Sequence, residues 1–129
     1  MKKILTIAVV AMSFLACNND DDNLDPFVGK WYKFAENGIE VSECEQKSTI
    51  EILENGTFTS SFYYINNNEN CELDGIATGI WKNQGNSVYG TKLSGENNDE
   101  YDNAKVTFSN NSFTASQPDS ENTTTFKRK

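Results

Sequence analysis

The chain of 129 residues contains no histidine. Histidine is the usual base in Ser-His-Asp and Cys-His nucleophile activation, and it is a common ligand of zinc and iron. Its absence therefore excludes these catalytic groups and any histidine-bearing zinc or iron site. Chemistry that relies on two carboxylates is not excluded by this absence.

Positive charge is also scarce, with 11 basic against 19 acidic residues and a net charge of −8. Two of the lysines, Lys2 and Lys3, belong to the N-terminal segment. Removing them leaves 9 basic against 19 acidic residues, a net charge of −10. Such a surface repels phosphate backbones and anionic lipid headgroups, so we expect no nucleic-acid partner.

Apolar residues are few, at 36%, and the mean hydropathy is −0.63, yet aromatic residues make up 12% of the chain. Aromatic residues at this frequency are not typical of a disordered chain. The length suits one domain with a modest core. The composition therefore predicts a single small β-domain with an aromatic core.

The N-terminus is typical of an export signal. Lys2 and Lys3 precede the apolar run ILTIAVVAMSFLA, which is too short to span a bilayer stably. The segment Phe14-Leu15-Ala16-Cys17 that ends it resembles the lipobox of bacterial lipoproteins. The resemblance implies cleavage after residue 16 and acylation of Cys17, including palmitate, which would form a lasting membrane anchor. The alternative is an ordinary secretory signal with an incidental cysteine.

The chain has three cysteines, an odd number for an exported protein. If Cys17 carries lipid, Cys44 and Cys71 remain as a pair. An oxidising envelope favours a disulfide between them, which would stabilise a small domain. Two free thiols are the alternative.

Residues 17–26 form an acidic, amide-rich tether that ends at Pro26. Asp20, Asp21 and Asp22 resemble the acidic cluster that directs some Gram-negative lipoproteins to the outer leaflet. This resemblance implies an outer-membrane, lipid-anchored and surface-exposed protein. The alternative is a tether that only spaces the domain from the membrane.

The remainder, residues 27–129, shows short alternating segments separated by turn-forming residues, and no segment with helical periodicity. In the turn between the second and third of these segments, Asn55-Gly56 is expected to supply positive φ angles. About eight strands joined in sequence predict an all-β, up-and-down antiparallel barrel, because closure removes exposed edges. The predicted strands fall at residues 27–34, 47–53, 57–65, 71–82, 87–93, 103–109, 113–117 and 122–129.

Two Gly-x-Trp motifs, Gly29-Lys30-Trp31 and Gly79-Ile80-Trp81, each place a small and a large residue on one face of a strand. With the order of the surrounding motifs, they resemble the lipocalin or calycin superfamily, in particular the short lipocalin-like domains of bacterial lipoproteins. The resemblance implies that Gly29 and Trp31 are structural, with Trp31 at the closed end. The helix-bearing connections of full-length lipocalins are missing, so the barrel could be filled by its own side chains.

Phe58, Phe62 and Tyr64 alternate along one strand, and Trp81 ends a row of alternate residues that begins at Leu73. These four aromatic residues are candidates for lining an apolar pocket. The alternative is simple core packing.

Four carboxylates, Glu96, Asp99, Glu100 and Asp102, crowd one loop. A Gly- and Asn-rich loop is poorly suited to holding an acid/base pair at a fixed separation, so we interpret it as solvated. We expect no enzyme activity, no cofactor and no metal site. Two functions remain: binding of a small hydrophobic or amphipathic ligand, or a filled barrel whose loops contact an envelope or host protein.

Overall fold

A computed structural model describes residues 24–129 of the chain. The signal segment, Cys17 and the Asp20 to Asp22 cluster lie outside the described residues. The described part contains one short 3-10 turn, at Glu45–Lys47, and nine strands. The strands are β1 Gly29–Glu36, β2 Ile39–Glu40, β3 Thr49–Ile52, β4 Thr57–Ile65, β5 Cys71–Gly85, β6 Val88–Leu93, β7 Asp102–Ser109, β8 Ser112–Ser116 and β9 Thr123–Arg128.

The sheet closes into an antiparallel barrel. From β3 to β9 each strand pairs with the next along the chain, and β1 pairs with both β3 and β9. The closing register places Trp31 opposite Arg128 and Glu36 opposite Thr124. The all-β, up-and-down barrel of about eight strands is thus confirmed.

The strand that the sequence did not predict is β2, which only pairs Ala35 with Glu40 and Glu36 with Ile39. Strands β2 and β3 pair with the same edge of β1, and β9 pairs with the opposite edge. The 3-10 turn interrupts what would otherwise be one continuous strand. Two residues are too few to show an alternating pattern, which explains why β2 escaped prediction.

One end of the barrel, which we call the closed end, carries the tight connections and both ends of the described chain. The β3–β4, β5–β6 and β7–β8 turns lie there, together with residues 25–28 and Arg128. In the β3–β4 turn only Gly56 has a positive φ, at 90°; Asn55 instead accepts a hydrogen bond from the Thr57 amide at 3.0 Å. The expectation of positive φ at both residues was therefore wrong.

The opposite end, the open end, carries the longer connections at residues 94–101 and 117–122. It also carries a two-stranded extension, residues 62–65 of β4 and 71–78 of β5, which we call the arm. The arm extends beyond its neighbours because β3 pairs with β4 only as far as Ser61, and β6 pairs with β5 only from Gly79.

A β-bulge in the arm changes the predicted alternation of β5. Phe62 pairs with Gly75 but Tyr63 pairs with Leu73, so Asp74 is the extra residue. Paired residues share a face of the sheet, and Leu73 therefore lies on the outer face with Tyr63. Leu73 does not continue the inner row that includes Gly75 and Gly79, as the sequence suggested.

The core lies inside the barrel, toward its closed end, and is mainly aromatic. Its buried members come from the N-terminal segment and from six of the strands. They are Phe27, Trp31, Ile52, Phe58, Tyr89, Val106 and Phe113. Within residues 24–129, no helix has the length and hydrophobicity needed to cross a bilayer.

Candidate ligand-binding site

The barrel interior is not completely filled. A cavity of about 150 Å³ lies among inward-facing residues of the wall and one residue of the N-terminal segment. Most of its surface is apolar because aliphatic and aromatic side chains dominate the lining. The lining residues are Phe27, Ile50, Tyr89, Thr91, Asp102, Ala104, Val106, Phe113, Ala115 and Phe126.

The cavity continues toward the open end as a groove of about 410 Å³ between β7, β8 and β9. Ala104, Ala115 and Phe126 line both spaces, so the cavity and the groove adjoin. Two of these three side chains are small, which leaves room for a molecule to pass. The outer part of the groove is bordered by polar side chains, namely Ser116, Gln117, Ser120, Asn122 and Thr124.

The floor of the cavity is Phe27, which the N-terminal segment inserts into the aromatic core. Its ring centroid lies 4.6 Å from that of Tyr89 and 5.3 Å from that of Phe113. The Phe27 amide also donates to the Asp25 carboxylate at 2.9 Å. The segment that follows the tether therefore forms both the closure of the barrel and the base of the cavity.

Beneath the cavity, the Asp25 carboxylate holds the closed end together. It accepts hydrogen bonds from the Tyr89 hydroxyl at 2.7 Å and from the Asn83 amide at 2.9 Å. Burial of the phenol, with the hydrogen bond to Asp25 as the second cause, raises the pKa of Tyr89 above its ordinary value. Tyr89 therefore stays protonated and donates to Asp25 throughout the neutral range.

Trp31 lies at the closed end and is only 1% exposed. Its indole N–H donates to the Phe27 carbonyl at 3.0 Å, and the Arg128 guanidinium lies 4.2 Å above its ring. Gly29 has a φ of 144°, and a Cβ there would collide with Arg128 Nη1. Both residues of the first Gly-x-Trp motif therefore position the closure and do not contact the cavity.

The four aromatic residues proposed from the sequence as pocket lining do not line this cavity. Phe58 is buried in the core, where its ring leaves no room for a Cβ on Gly79. Trp81 is partly buried, packs against Phe27 at 5.6 Å, and donates its indole N–H to the Leu53 carbonyl at 2.8 Å. The structure places Phe58 and Trp81 among the core contacts.

Phe62 and Tyr64 lie elsewhere, on the inner face of the arm, and are 41% and 42% exposed. The Tyr64 hydroxyl donates to Glu72 Oε2 at 3.1 Å, and this hydrogen bond raises the pKa of Tyr64. The four residues are separated because the arm carries the upper half of β4 out of the barrel. A ligand contact by any of them stays a prediction.

Cys44 and Cys71 form the predicted disulfide, with 5.5 Å between their Cα atoms. The bond joins the 3-10 region before β3 to the tip of the arm. Tyr63 adds a second attachment, because its amide donates to the Ser48 hydroxyl at 2.9 Å. The disulfide therefore fixes the tip of the arm to the 3-10 region, and the Tyr63 hydrogen bond holds the arm nearer its base.

Of the four loop carboxylates, Glu96, Asp99 and Glu100 are exposed in the connection before β7, and Asp102 begins β7 at the edge of the cavity. Among residues 24–129, no group of three or more acidic or cysteine side chains is placed to hold a metal ion. Sequence reasoning attributed Asp102 to the loop and missed its position beside the cavity.

The cavity residues that sequence reasoning missed lie mainly on the last three strands. The signal was present as alternation, with Ala104 and Val106 on β7, Phe113 and Ala115 on β8, and Phe126 on β9. The small residues in these rows mark unfilled space. What the alternation alone cannot give is the tilt that brings these rows opposite Ile50 and Phe27.

A comparison with protein families matches the lipocalin-like domain over residues 27–115. A comparison with curated proteins finds no significant match. The match covers β1 to β7 and all but the last residue of β8, which is more than half of the chain, and agrees with the closed barrel. The chain belongs to the lipocalin-like domain family.

Proposed function

We propose that this lipocalin-like barrel binds a small amphipathic molecule through its open end. The observation that carries the proposal is the apolar interior cavity, which adjoins a polar-rimmed groove at Ala104, Ala115 and Phe126. Protein sites for small molecules are mostly apolar concavities with a few polar groups that fix orientation. Here the apolar cavity lies inside the barrel, and the polar groups border the groove at its open end.

The volumes restrict the size of the ligand. An apolar cavity of about 150 Å³ accommodates a molecule the size of benzene, whereas ligand sites usually measure about 300 to 1,000 Å³. A ligand of ordinary size must therefore occupy the groove as well. We expect a ring or short chain in the cavity and a hydrogen-bonding head among Gln117, Ser120 and Asn122.

The charges disfavour an anionic head. Asp102 borders the cavity, and the chain carries a net charge of −8. Lys33 lies on the inner face opposite Phe126, but its ammonium group already pairs with Glu36 and with Glu45. Because no unpaired cation faces the groove on β1, an uncharged or cationic amphiphile should bind better than a fatty acid.

The test is a titration of the purified protein with the uncharged fluorophore N-phenyl-1-naphthylamine. We expect saturable fluorescence enhancement, competed by uncharged amphiphiles. Ala104→Leu fills the junction of cavity and groove and should reduce the enhancement at least about tenfold, since its isobutyl group occupies the apolar space. Native mass spectrometry of the freshly purified protein should detect a bound small molecule.

Ile39→Leu is the matched control, because Ile39 is exposed on β2 and lines neither the cavity nor the groove. It should bind the fluorophore as the unmodified protein does. Absence of fluorophore binding by the unmodified protein, with no co-purified molecule, would count against the binding proposal. So would an Ala104→Leu variant with unchanged affinity.

We further propose that the barrel is attached to the outer membrane by lipid on Cys17 and displayed at the cell surface. The support is the lipobox-like segment and the acidic residues that follow it. The described chain begins at the closed end, so a tether leaving there would direct the open end away from the membrane. Cys17→Ala should abolish acyl mass and membrane partitioning; retention of both would refute the lipidation proposal.

The second candidate function is a display protein whose loops contact another protein. The specific observation in its favour is the arm, which exposes Phe62, Tyr64, Leu73 and Ile76. Ligand binding and display use different surfaces, so Ala104→Leu separates them. A protein that functions only by display would be unaffected by that substitution.

A further inference from the structure

The arm leaves one edge of the longest strand without a neighbour. Strand β6 pairs with β5 only from Gly79 onward, and beyond it the Ser94 amide donates to the Thr78 carbonyl at 2.9 Å. From Cys71 to Ala77, β4 pairs with one side of β5, and among residues 24–129 no strand pairs with the other side. This part of β5 is an open sheet edge.

The backbone of Ile76 faces this open edge. In an antiparallel sheet the N–H and C=O groups of successive residues point to opposite sides of the strand. The Thr78 carbonyl points toward β6, so the Ile76 groups, two residues away, point to the same side. They are the groups that an additional strand would bind first.

The side chains of the edge are apolar on both faces. Leu73 and Ile76 are 45% and 65% exposed on the outer face, while Phe62 and Tyr64 are exposed on the inner face. Gly75 offers open space, since a Cβ there would meet nothing within 4 Å. An exposed apolar edge of this kind is the surface to which extended peptides add as strands.

The charges of the edge select the partner. Glu72 and Asp74 are exposed along it, and Glu69 lies in the turn at its tip. A second copy of the arm would bring the same carboxylates into opposition, which destabilises strand pairing. The Asp74 bulge also distorts the edge against regular self-pairing. A strand with basic residues would meet neither like charge nor a second bulge.

We propose that the free edge of β5 around Ile76 is a docking site for an extended polypeptide segment in which apolar and basic residues alternate. The added strand accepts from the Ile76 N–H and donates to the Ile76 carbonyl. Its apolar side chains cover Leu73 and Ile76 on the outer face, and its basic side chains approach Asp74 and Glu72. This site is independent of the cavity at the other strands.

The test uses a fluorescein-labelled peptide of alternating lysine and valine and its glutamate-for-lysine counterpart. Anisotropy titrations with the purified protein should show saturable binding of the lysine peptide, weakened by salt, and little binding of the glutamate peptide. Hydrogen exchange should show new protection within residues 71–78. Ile76→Pro removes the donor and should weaken binding by about tenfold or more.

Two further variants make the outcome decisive. Asp74→Lys keeps the backbone donor but should reverse the preference between the two peptides. Ile39→Pro, on the exposed β2, is the control and should leave lysine-peptide binding unchanged. The proposal is overturned if the lysine peptide fails to bind, if Ile76→Pro and Asp74→Lys both bind it normally, or if ultracentrifugation shows that the edge is occupied by a second copy.

Discussion

The two ends of the barrel differ in how their connections are held. At the closed end, Asp25 receives hydrogen bonds from Tyr89 and Asn83, and Arg128 covers Trp31 while its guanidinium donates to the Val28 carbonyl at 3.1 Å. At the open end, residues 94–101 and 117–122 are largely exposed. The difference indicates that the closed end maintains the barrel and leaves the open end free to form a binding site.

The same division of roles is visible in the aromatic side chains. Trp31, Phe27 and Phe58 are buried near the closed end, whereas Phe62 and Tyr64 are exposed on the arm. Burial of a large apolar side chain contributes about 1.5 to 3 kcal/mol to the free energy of unfolding. The same residue type should therefore stabilise the fold much more at the closed end than on the arm. Substitutions at matched positions should measure this difference.

Trp31→Ala should have the largest effect. We expect a loss of about 3 to 5 kcal/mol in the free energy of unfolding, because the substitution leaves a cavity and removes the indole hydrogen bond to Phe27. Urea unfolding monitored by circular dichroism measures the loss. Tyr64→Ala, the control on the exposed arm, should destabilise the protein far less; equal losses would contradict the proposed difference between the ends.

Removal of the disulfide should come next. The double substitution Cys44→Ala and Cys71→Ala should destabilise the protein by about 3 to 4 kcal/mol, because the unfolded chain is no longer cross-linked across this loop. Hydrogen exchange should accelerate most at residues 62–65 and 71–76, where the bond fixes the arm. Greater acceleration in β1 and β9 would show that the disulfide instead supports the closed end.

Tyr89→Phe tests the hydrogen bond beneath the cavity. We expect a loss of about 1 to 2 kcal/mol at neutral pH, since Asp25 keeps its bonds from Asn83 and Phe27. The raised pKa of Tyr89 means that its stabilisation is complete below about pH 10, the ordinary pKa, and is lost as pH rises toward the folded-state pKa.

The corresponding measurement is the urea midpoint between pH 8 and pH 11. The unmodified protein should lose stability above about pH 10 more steeply than Tyr89→Phe, because only the former must expose a titrating phenol at this position. Parallel pH profiles would mean that Tyr89 ionises as readily in the folded as in the unfolded chain.

Asp102→Asn should have the smallest effect. Removing the charge beside the cavity should improve the affinity for a medium-chain fatty acid by about two- to fivefold, because one exposed charge acts weakly through water. Affinity for the corresponding uncharged alcohol should not change. Asp99→Asn, in the exposed loop, is the control; an equal gain from it would assign the effect to net charge.

The strands were largely predictable because turn-forming residues separate segments that alternate. Thr57–Ile65 was predicted with its observed bounds, and β5 was correct at its start but extends to Gly85. Closure was predictable too, since consecutive hairpins without closure would leave two edges exposed. The two-residue β2 carries no periodic signal and was missed.

The site was less predictable, because it depends on which strands extend beyond the barrel. Alternation correctly placed Phe62 and Tyr64 on an inner face, but it could not show that this face leaves the wall above Ser61. Asp102 was assigned to a loop by composition, whereas its pairing with Thr91 brings it to the cavity edge. The alternating apolar residues of β7, β8 and β9 indicated the cavity better than those of β4 and β5.

If the open end binds ligand and the closed end maintains the fold, ligand-dependent hydrogen exchange should distinguish the two ends. The purified protein would be compared with and without N-phenyl-1-naphthylamine. We expect the ligand to slow exchange in β7, β8 and β9 around residues 104, 115 and 126, with no change at residues 53–56 and 109–112. Protection confined to those closed-end turns, or to the arm, would contradict it.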